Sequence, residues 1–273
     1  MFIRTIRQTF EYRELLLALT YRDIKVKYKQ AMLGVLWVFF LPTMAIGSGI
    51  VFRLAMAYFS NSTPKLVDMV AVMVKSVPWL LFAAIVGGSS GSLIGNMGLI
   101  TKVYFPRQVV PLATVLSALF DFTISLTGLT LIIILIANLA PGGDTAIVVT
   151  WHYLWLPVLL MLLVVMAVGF GFFFSCTNLF MRDVRYIVQV SLQYGVFFSL
   201  VFLTYEEFGR FGHLFLYNPV APVLESIRTI ITRGQINADL LPYLVYSVVF
   251  TICLLTFALR FFNRSEPLFA EYV

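Results

Sequence analysis

The sequence predicts an all-α integral membrane protein with six transmembrane helices, and three observations carry that reading. Of the 273 residues, 60% are apolar and only 12% charged, against about 25% charged in soluble domains. Apolar runs recur at lengths near the ~20 residues a helix needs to cross a bilayer. The Lys and Arg residues fall unevenly between the connecting segments, as they do when basic residues are retained on the cytoplasmic side. Spans are expected at approximately 32–58, 77–97, 109–139, 154–180, 187–204 and 241–262.

Residues 1–31 carry Arg4, Arg7, Arg13, Arg22, Lys25, Lys27 and Lys29, while Leu15, Leu16 and Leu19 share one helical face. This pattern predicts an amphipathic helix lying in the membrane interface, although Ile24–Lys29 alternates in a way that also suits a strand. The segment is too polar for a cleaved leader, so the first span is expected to direct insertion. That span is uncharged over Met32–Phe52 and contains Pro42, which predicts a kink. A turn at Pro64 follows. Val67–Val74 is expected to descend only partly into the membrane before Lys75, ahead of the second span proper.

The second span holds Gly87, Gly91 and Gly95 at four-residue spacing, beside Ser89, Ser90 and Ser92. Small residues so spaced let helices approach closely in lipid. A phosphate-cradling loop is excluded because no Lys-Ser/Thr pair follows the glycines. Asn96–Pro111 then separates spans two and three. The third span contains Asp121, an acid inside a span; it is either functional or a hydrogen-bonding partner for a neighbouring helix.

Pro141-Gly142-Gly143-Asp144 marks a turn, and Trp151, Tyr153 and Trp155 form an interfacial aromatic belt before span four. A short charged loop with Arg182, Asp183 and Arg185 leads into span five. Between spans five and six, Asn218 suits an N-cap, Pro219 a first helical position and Gly234 a stop. Leu224, Ile227, Ile230 and Ile231 give this short helix one apolar face, so it is expected to be re-entrant or to lie at the outer surface. Residues 263–273 form the tail. The basic residues of 1–31, with Lys102, Arg107, Arg182, Arg185, Arg260 and Arg264, put both termini and both short loops in the cytoplasm.

The chemistry of the chain excludes several classes. The net charge of +6 is accounted for by these cytoplasmic residues and does not call for nucleic acid. Two histidines, His152 and His213, are too far apart in sequence for a metal cluster. There is no HExxH, no nucleophile elbow and no Walker motif, so the chain is not expected to be an enzyme or to bind ATP itself. Cys176 and Cys253 read as small buried hydrophobes without a disulfide. Aromatic residues are abundant, and Trp37 and Phe40 on span one with Tyr194, Phe197 and Phe198 on span five are candidates for a conduit wall, because ring faces stack on the apolar faces of sugars.

Four stretches resemble one family, in order and at its spacing: Thr20–Pro42 (TYRDIKVKYKQAMLGVLWVFFLP), Asn96–Phe122 (NMGLITKVYFPRQVVPLATVLSALFDF), Asn218–Gly234 (NPVAPVLESIRTIITRG) and Glu266–Val273 (EPLFAEYV). The chain resembles the ABC-2 type transporter permeases of polysaccharide export; it departs from them in LESIRTII, where the family often has an aromatic near the arginine. The resemblance implies a homodimer working with two copies of a separate ATPase subunit, which holds the ATP and Mg. It implies a cytoplasmic coupling helix built from Asn96, Leu99, Ile100, Lys102, Tyr104, Phe105, Pro106 and Arg107. In that helix Tyr104 and Phe105 would anchor in a partner groove, Pro106 would end the helix, and Lys102 and Arg107 would meet partner acids. Arg182, Asp183 and Arg185 would make a second contact. The implied cargo is a lipid-linked glycan crossing the inner membrane of a bacterium, with Arg22, Lys25, Lys27 and Lys29 as candidate contacts for the lipid diphosphate. The alternatives are an ABC-2 exporter of a drug or small lipid, and an ion-coupled secondary transporter, which would need further mid-membrane acids besides Asp121.

Overall fold

Apolar surroundings leave a backbone no partner but itself, so the apolar runs become helices. In the computed structural model, residues 10–29, 34–61, 63, 66–139 and 149–270 are described, and none of them forms a strand. The helices are α1 (Arg13–Lys29), α2 (Trp37–Phe59), α3 (Leu66–Gly95), α4 (Met97–Ile100), α5 (Val109–Leu139), α6 (Trp155–Phe180), α7 (Val184–Phe198), α8 (Gly212–Phe215), α9 (Val220–Arg233) and α10 (Leu241–Ser265). Five of them, α2, α3, α5, α6 and α10, are long and apolar enough to cross a membrane. Expectations for residues 1–9, for the first residues of span one at 30–33, for Pro64, for the turn at 141–148 and for 271–273 lie outside the described residues.

α3 is the hub, in contact with α2, α5, α6, α7 and α9. It corrects the expected second span. Leu66–Gly95 is one 30-residue helix running through Lys75 and Pro78, with no break at Lys75. At 1.5 Å per residue it measures about 45 Å, more than the ~30 Å hydrocarbon core. The expected glycine stripe is also displaced. A Cβ on Gly88 would come within 2.7 Å of Thr114, and one on Gly171 of α6 within 2.9 Å of Ser89. These are close helix approaches, as is that of Gly49 on α2, where a Cβ would come within 2.5 Å of Val72. Gly87 makes only an ordinary contact with Leu192, while Gly91 and Gly95 face open space.

α1 is helical through Ile24–Lys29, which removes the strand alternative. It leans along α5 instead of staying level with the loop that follows α3. Its Leu19 is buried with Leu93, Phe105 and Val109, and further along Lys27 pairs with Asp121. Asp121 lies roughly 18 Å along α5 from Val109, at 1.5 Å per residue. Of the two cysteines, Cys176 is buried but Cys253 is exposed on α10; both are free.

The fifth expected span, 187–204, is instead the 15-residue α7, which stops at Phe198. At about 22 Å it is shorter than the hydrocarbon core. The reason it can stop is Lys75. Leu200 takes a left-handed backbone (φ 56°), and Lys75 Nζ donates to the carbonyls of Leu200 (2.5 Å) and Leu203 (2.6 Å). Carbonyls that a longer helix would have bonded are thereby satisfied. The same ammonium reaches Glu225 of α9 at 2.9 Å, both side chains fully buried. Arg228 Nε donates to the other Glu225 oxygen at 2.6 Å.

This network removes the outer-surface alternative for α9 and leaves the re-entrant one. Its apolar Leu224, Ile227 and Ile230 are buried, but so are Glu225, Ser226, Arg228, Thr229 and Thr232. The helix is inserted among α3, α6 and α10 and does not lie on a surface. The helix starts at Val220 with Pro219 in the cap position, one residue later than expected, while Asn218 accepts the Val220 N–H on its side chain (3.2 Å); Gly234 ends the helix at φ 71°, as its residue type suggests. Around it, Arg53 pairs with Glu207 (2.6 Å) and Arg233 grips both oxygens of Glu206 (2.7 and 2.5 Å). Burial disfavours the Glu206 charge, but the Arg233 hydrogen bonds and the neighbouring Arg228 outweigh it and hold the carboxyl below its usual range.

Removing one partner of a buried pair leaves an uncompensated charge. Glu225→Ala is therefore expected to destabilise the protein by about 3–5 kcal/mol, read as thermal unfolding of the detergent-purified chain. A loss under about 1 kcal/mol would mean that the pair is not dry.

Candidate coupling face and translocation surface

Three segments distant in sequence meet at one end of the bundle. α3 ends at Gly95, and Asn96 turns the chain, its Nδ2 donating to Ser92 O (2.8 Å) and its Oδ1 accepting from Arg22 of α1 (2.5 Å). α4 is a single turn that ends at Ile100. Pro106 is therefore not its stop; the Pro106 carbonyl instead receives the Val109 N–H (3.1 Å) at the start of α5. The third segment is the 3-10 turn Glu266–Ala270. Arg107 donates to the Glu266 carbonyl from its guanidinium and to Glu266 Oε1 from its backbone, and its guanidinium lies over the Phe269 ring. Gln108 donates to Asn263.

The loop divides its side chains sharply. Tyr104 is 96% exposed, and Lys102 and Val103 beside it are exposed too. Phe105, 5% exposed, is buried in the chain's own core with Leu19, Val109 and Phe269. Leu99 and Ile100 are half-buried against the same cluster. Of the residues expected to meet a partner, Tyr104 and Lys102 are free to do so, whereas Phe105 and Arg107 are occupied within the chain. Arg182, Asp183 and Arg185 are exposed where α7 begins, and Asp183 O accepts the N–H groups of Tyr186 (3.0 Å) and Ile187 (3.1 Å). Phe180 contacts Phe269 (6.3 Å between centroids), so this turn belongs to the same end.

Arg22, Lys25, Lys27 and Lys29 all lie on α1, where Arg22 is held by Asp23 and Asn96, Lys25 rests over the Tyr21 ring, and Lys27 pairs with Asp121, which also accepts from Tyr28 (2.5 Å). Among the described residues the Asp121 carboxylate thus has two donors, both from α1.

The five aromatic residues singled out for a conduit are all well exposed but do not form one patch. Trp37 and Phe40 pack edge to face at the start of α2 (5.2 Å). Phe197 meets Phe52, at 6.2 Å, and Phe202. Phe52 is about 18 Å further along α2 than Phe40, at 1.5 Å per residue. A further exposed face, on α7, was not brought forward by residue type alone. Arg185, Tyr186, Gln189, Gln193 and Tyr194 are all exposed, with Ile187 and Val190 exposed among them. The signal was present in the four-residue spacing of the two glutamines within a largely apolar run. A Cβ on Gly195 would come within 2.9 Å of Trp79, so α7 lies tight on α3 and turns this polar side outward.

An apolar helix bundle with a projecting loop at one end and a polar helix face on its side is the architecture of a membrane-embedded transport subunit. Residues 14–232 match the ABC-2 type transporter family, and the chain belongs to it; members of this family work with an ATPase that is a separate subunit. Relatives match over nearly the full length. The "O-antigen export system permease protein RfbA" of Myxococcus xanthus is 26% identical over 275 residues, covering 99% of this chain and 100% of that protein. The protein of the same name from Klebsiella pneumoniae is 27% identical over 261 residues, 94% of each. The "Polysialic acid transport protein KpsM" of Escherichia coli is 22% identical over 268 residues, 95% of this chain and 97% of its own.

The two aromatic neighbours of the loop give opposite expectations. Tyr104→Ala removes a projecting ring and should leave folding within about 0.5 kcal/mol while reducing stimulation of the ATPase. Phe105→Ala opens a cavity and should cost about 3–5 kcal/mol of stability. Thermal unfolding and ATPase assays of the reconstituted complex check both; equal destabilisation by the two would remove Tyr104 as the contact ring.

Proposed function

We propose that this chain is the permease subunit of an ATP-driven exporter that moves a lipid-linked polysaccharide, of the O-antigen or capsule type, across the cytoplasmic membrane of a bacterium. The names of its full-length relatives support the cargo. The observation that carries the reading is the exposed polar face of α7. Polar groups facing lipid are costly, so Tyr186, Gln189, Gln193 and Tyr194 face a wet passage or a second copy of the chain. A wall of amide and aromatic side chains offers hydrogen bonds and ring faces to sugars without a tight site, which suits a sliding polymer.

In this reading two copies form the passage and two ATPase subunits bind ATP and Mg. Residues 1–31 form a cytoplasmic interface segment, 32–262 the transmembrane domain and 263–273 a cytoplasmic tail. Both termini are cytoplasmic. Because α1, the 96–108 loop and the Glu266–Ala270 turn share one end, the number of passages between them is even; α7 with the Lys75-bound turn supplies the sixth. Asn96, Leu99, Ile100, Lys102, Tyr104, Phe105, Pro106 and Arg107 make up the coupling element, with Tyr104 and Lys102 as its contact groups. Arg182, Asp183 and Arg185 add a second contact. Trp37, Phe40, Tyr194, Phe197 and Phe198 border the conduit, and Arg22, Lys25, Lys27 and Lys29 attract the lipid diphosphate.

Gln193→Leu and Tyr194→Ala are expected to reduce surface glycan about tenfold, the effect of some 1.4 kcal/mol in the passage, with unchanged amounts of permease in the membrane. Cysteines at 189 and 193, in a chain lacking the two native ones, should react with membrane-impermeant thiol reagents. Full export by both variants, with cysteines that do not react, would overturn this assignment of the passage.

A further inference from the structure

Charges do not balance around the turn that follows α7. Among the described residues, four cations meet three carboxylates there: Arg53, Lys75, Arg228 and Arg233 against Glu206, Glu207 and Glu225. The acids are already engaged. Glu206 gives both oxygens to Arg233. Glu225 divides its oxygens between Lys75 and Arg228 Nε. Glu207 Oε1 accepts from Arg53 Nη1 and from the Thr204 hydroxyl, at 2.6 and 2.8 Å. Three buried guanidinium nitrogens are left without an acceptor: Arg53 Nε and Nη2, and Arg228 Nη2. The last lies 3.7 Å from Glu206 Oε1, close enough for ion pairing but too far for a hydrogen bond. Arg53 is 9% exposed and Arg228 3%, so bulk water does not reach these donors. The two arginines share a neighbourhood. Arg53 stands on α2 and Arg228 on α9, but their acid partners Glu207 and Glu206 are consecutive residues. The charges of both arginines act on Lys75. One helical turn before Arg53, a Cβ on Gly49 would come within 2.7 Å of Phe202, so α2 lies directly on the turn.

We infer that Arg53 and Arg228 hold a small inorganic anion of single charge, of the chloride type, between α2 and α9. Buried donors without acceptors are costly, and a buried charge without a counter-charge is costlier. One anion answers both, since it accepts from the orphaned N–H groups and cancels the single excess positive charge. Water would satisfy the N–H groups but leave the charge uncompensated. A doubly charged oxyanion would overshoot and make the cluster negative. The bound ion joins α2, which carries Arg53, to α9, which carries Arg228, across the turn that Lys75 holds. The site stands independently of the exporter reading.

The test is thermal unfolding of the detergent-purified full-length chain in sodium chloride and in sodium gluconate at one ionic strength. Equilibrium dialysis against radiolabelled chloride is the second readout. Replacing gluconate by chloride should raise the midpoint saturably by about 5 °C, the shift produced by a ligand well above its Kd, with about one chloride retained per chain. Arg53→Gln leaves Glu207 unpaired, but its side chain is 37% exposed and can take water. This variant is expected to fold, to melt alike in both salts and to bind chloride about tenfold more weakly. Bromide should replace chloride. Sulfate stabilises by exclusion from the surface, and its effect should persist in Arg53→Gln. Equal midpoints in chloride and gluconate, or no saturable retention of chloride by the wild-type chain, overturns the site and assigns the donors to water. A chloride shift that survives Arg53→Gln overturns it as well. If Arg53→Gln does not fold, Arg53→Lys keeps a cation for Glu207 without the guanidinium fork; it should weaken chloride retention about tenfold, and unchanged retention overturns the site.

Discussion

A helix that stops inside an apolar interior exposes carbonyls that apolar neighbours cannot satisfy. The chain meets this constraint with one ammonium group. Lys75 bonds Leu200 O, Leu203 O and Glu225 together, and much of one end of the molecule follows from that. α7 can end after 15 residues. The strand of chain beyond it can turn with Leu200 at positive φ. α9 can bury its polar side because Glu225 finds Lys75 and Arg228. A hydrophobic side chain of similar size at position 75 would fill the space and leave two carbonyls without donors, which is why a charge within a long apolar helix is compatible with a stable fold.

The opposite end is built on a different principle. There, charges are mostly half-exposed and act as ties between segments. Arg22 joins α1 to Asn96, Lys27 joins it to Asp121, and Arg107 joins the loop to Glu266. Beneath them, Leu19, Phe105, Val109 and Phe269 make a small core of their own. A ring pushed at Tyr104 cannot move alone. Its neighbour Phe105 is embedded in that core, so displacement is shared with α1, α5 and the end of α10. Under the proposed function this makes the loop, the first helix and the tail one mechanical body.

The sequence made the helical class and the stretch Asn96–Pro111 legible because both depend on composition over a window. Five apolar runs became long helices for the same reason. It misled where a single residue overrode its window. Lys75 looked like the border of a span and is buried a third of the way along one helix. Residues 187–204 looked long enough to cross, but the carbonyls captured by Lys75 shorten the helix. The four-residue glycine spacing suggested one contact face, yet the rotation of α3 put Gly88 and Ser89 against their neighbours. For the loop, residue type could not separate Tyr104 from Phe105, since which of two adjacent aromatic rings points inward depends on packing against Leu19 and Phe269, far away in the chain. Asp121 was visible as an anomaly, but its partners Lys27 and Tyr28 are more than ninety residues distant.

Under the proposed function, the exposed surface suits a second copy of the chain. α2 and α10 are both largely unburied, 22% and 17% over their most apolar windows, but they are exposed in different ways. α10 turns outward Val245, Val248, Val249, Ile252 and Phe257, mostly aliphatic and suited to lipid tails. α2 turns outward aromatic Trp37, Phe39, Phe40, Tyr58 and Phe59 together with Leu41, Met44, Val51, Leu54 and Met56, and α7 adds Gln189 and Gln193. Lipid is an adequate partner for the first face and a poor one for amides. A single bundle packed on α3 has no hollow centre into which α7 could turn them. Two bundles related by symmetry, with the α2 and α7 faces opposed, would enclose those amides and aromatic rings between them and leave α10 to the bilayer. The passage would then belong to the pair, which explains why each chain has its tightest packing around α3 and its polar wall on the outside.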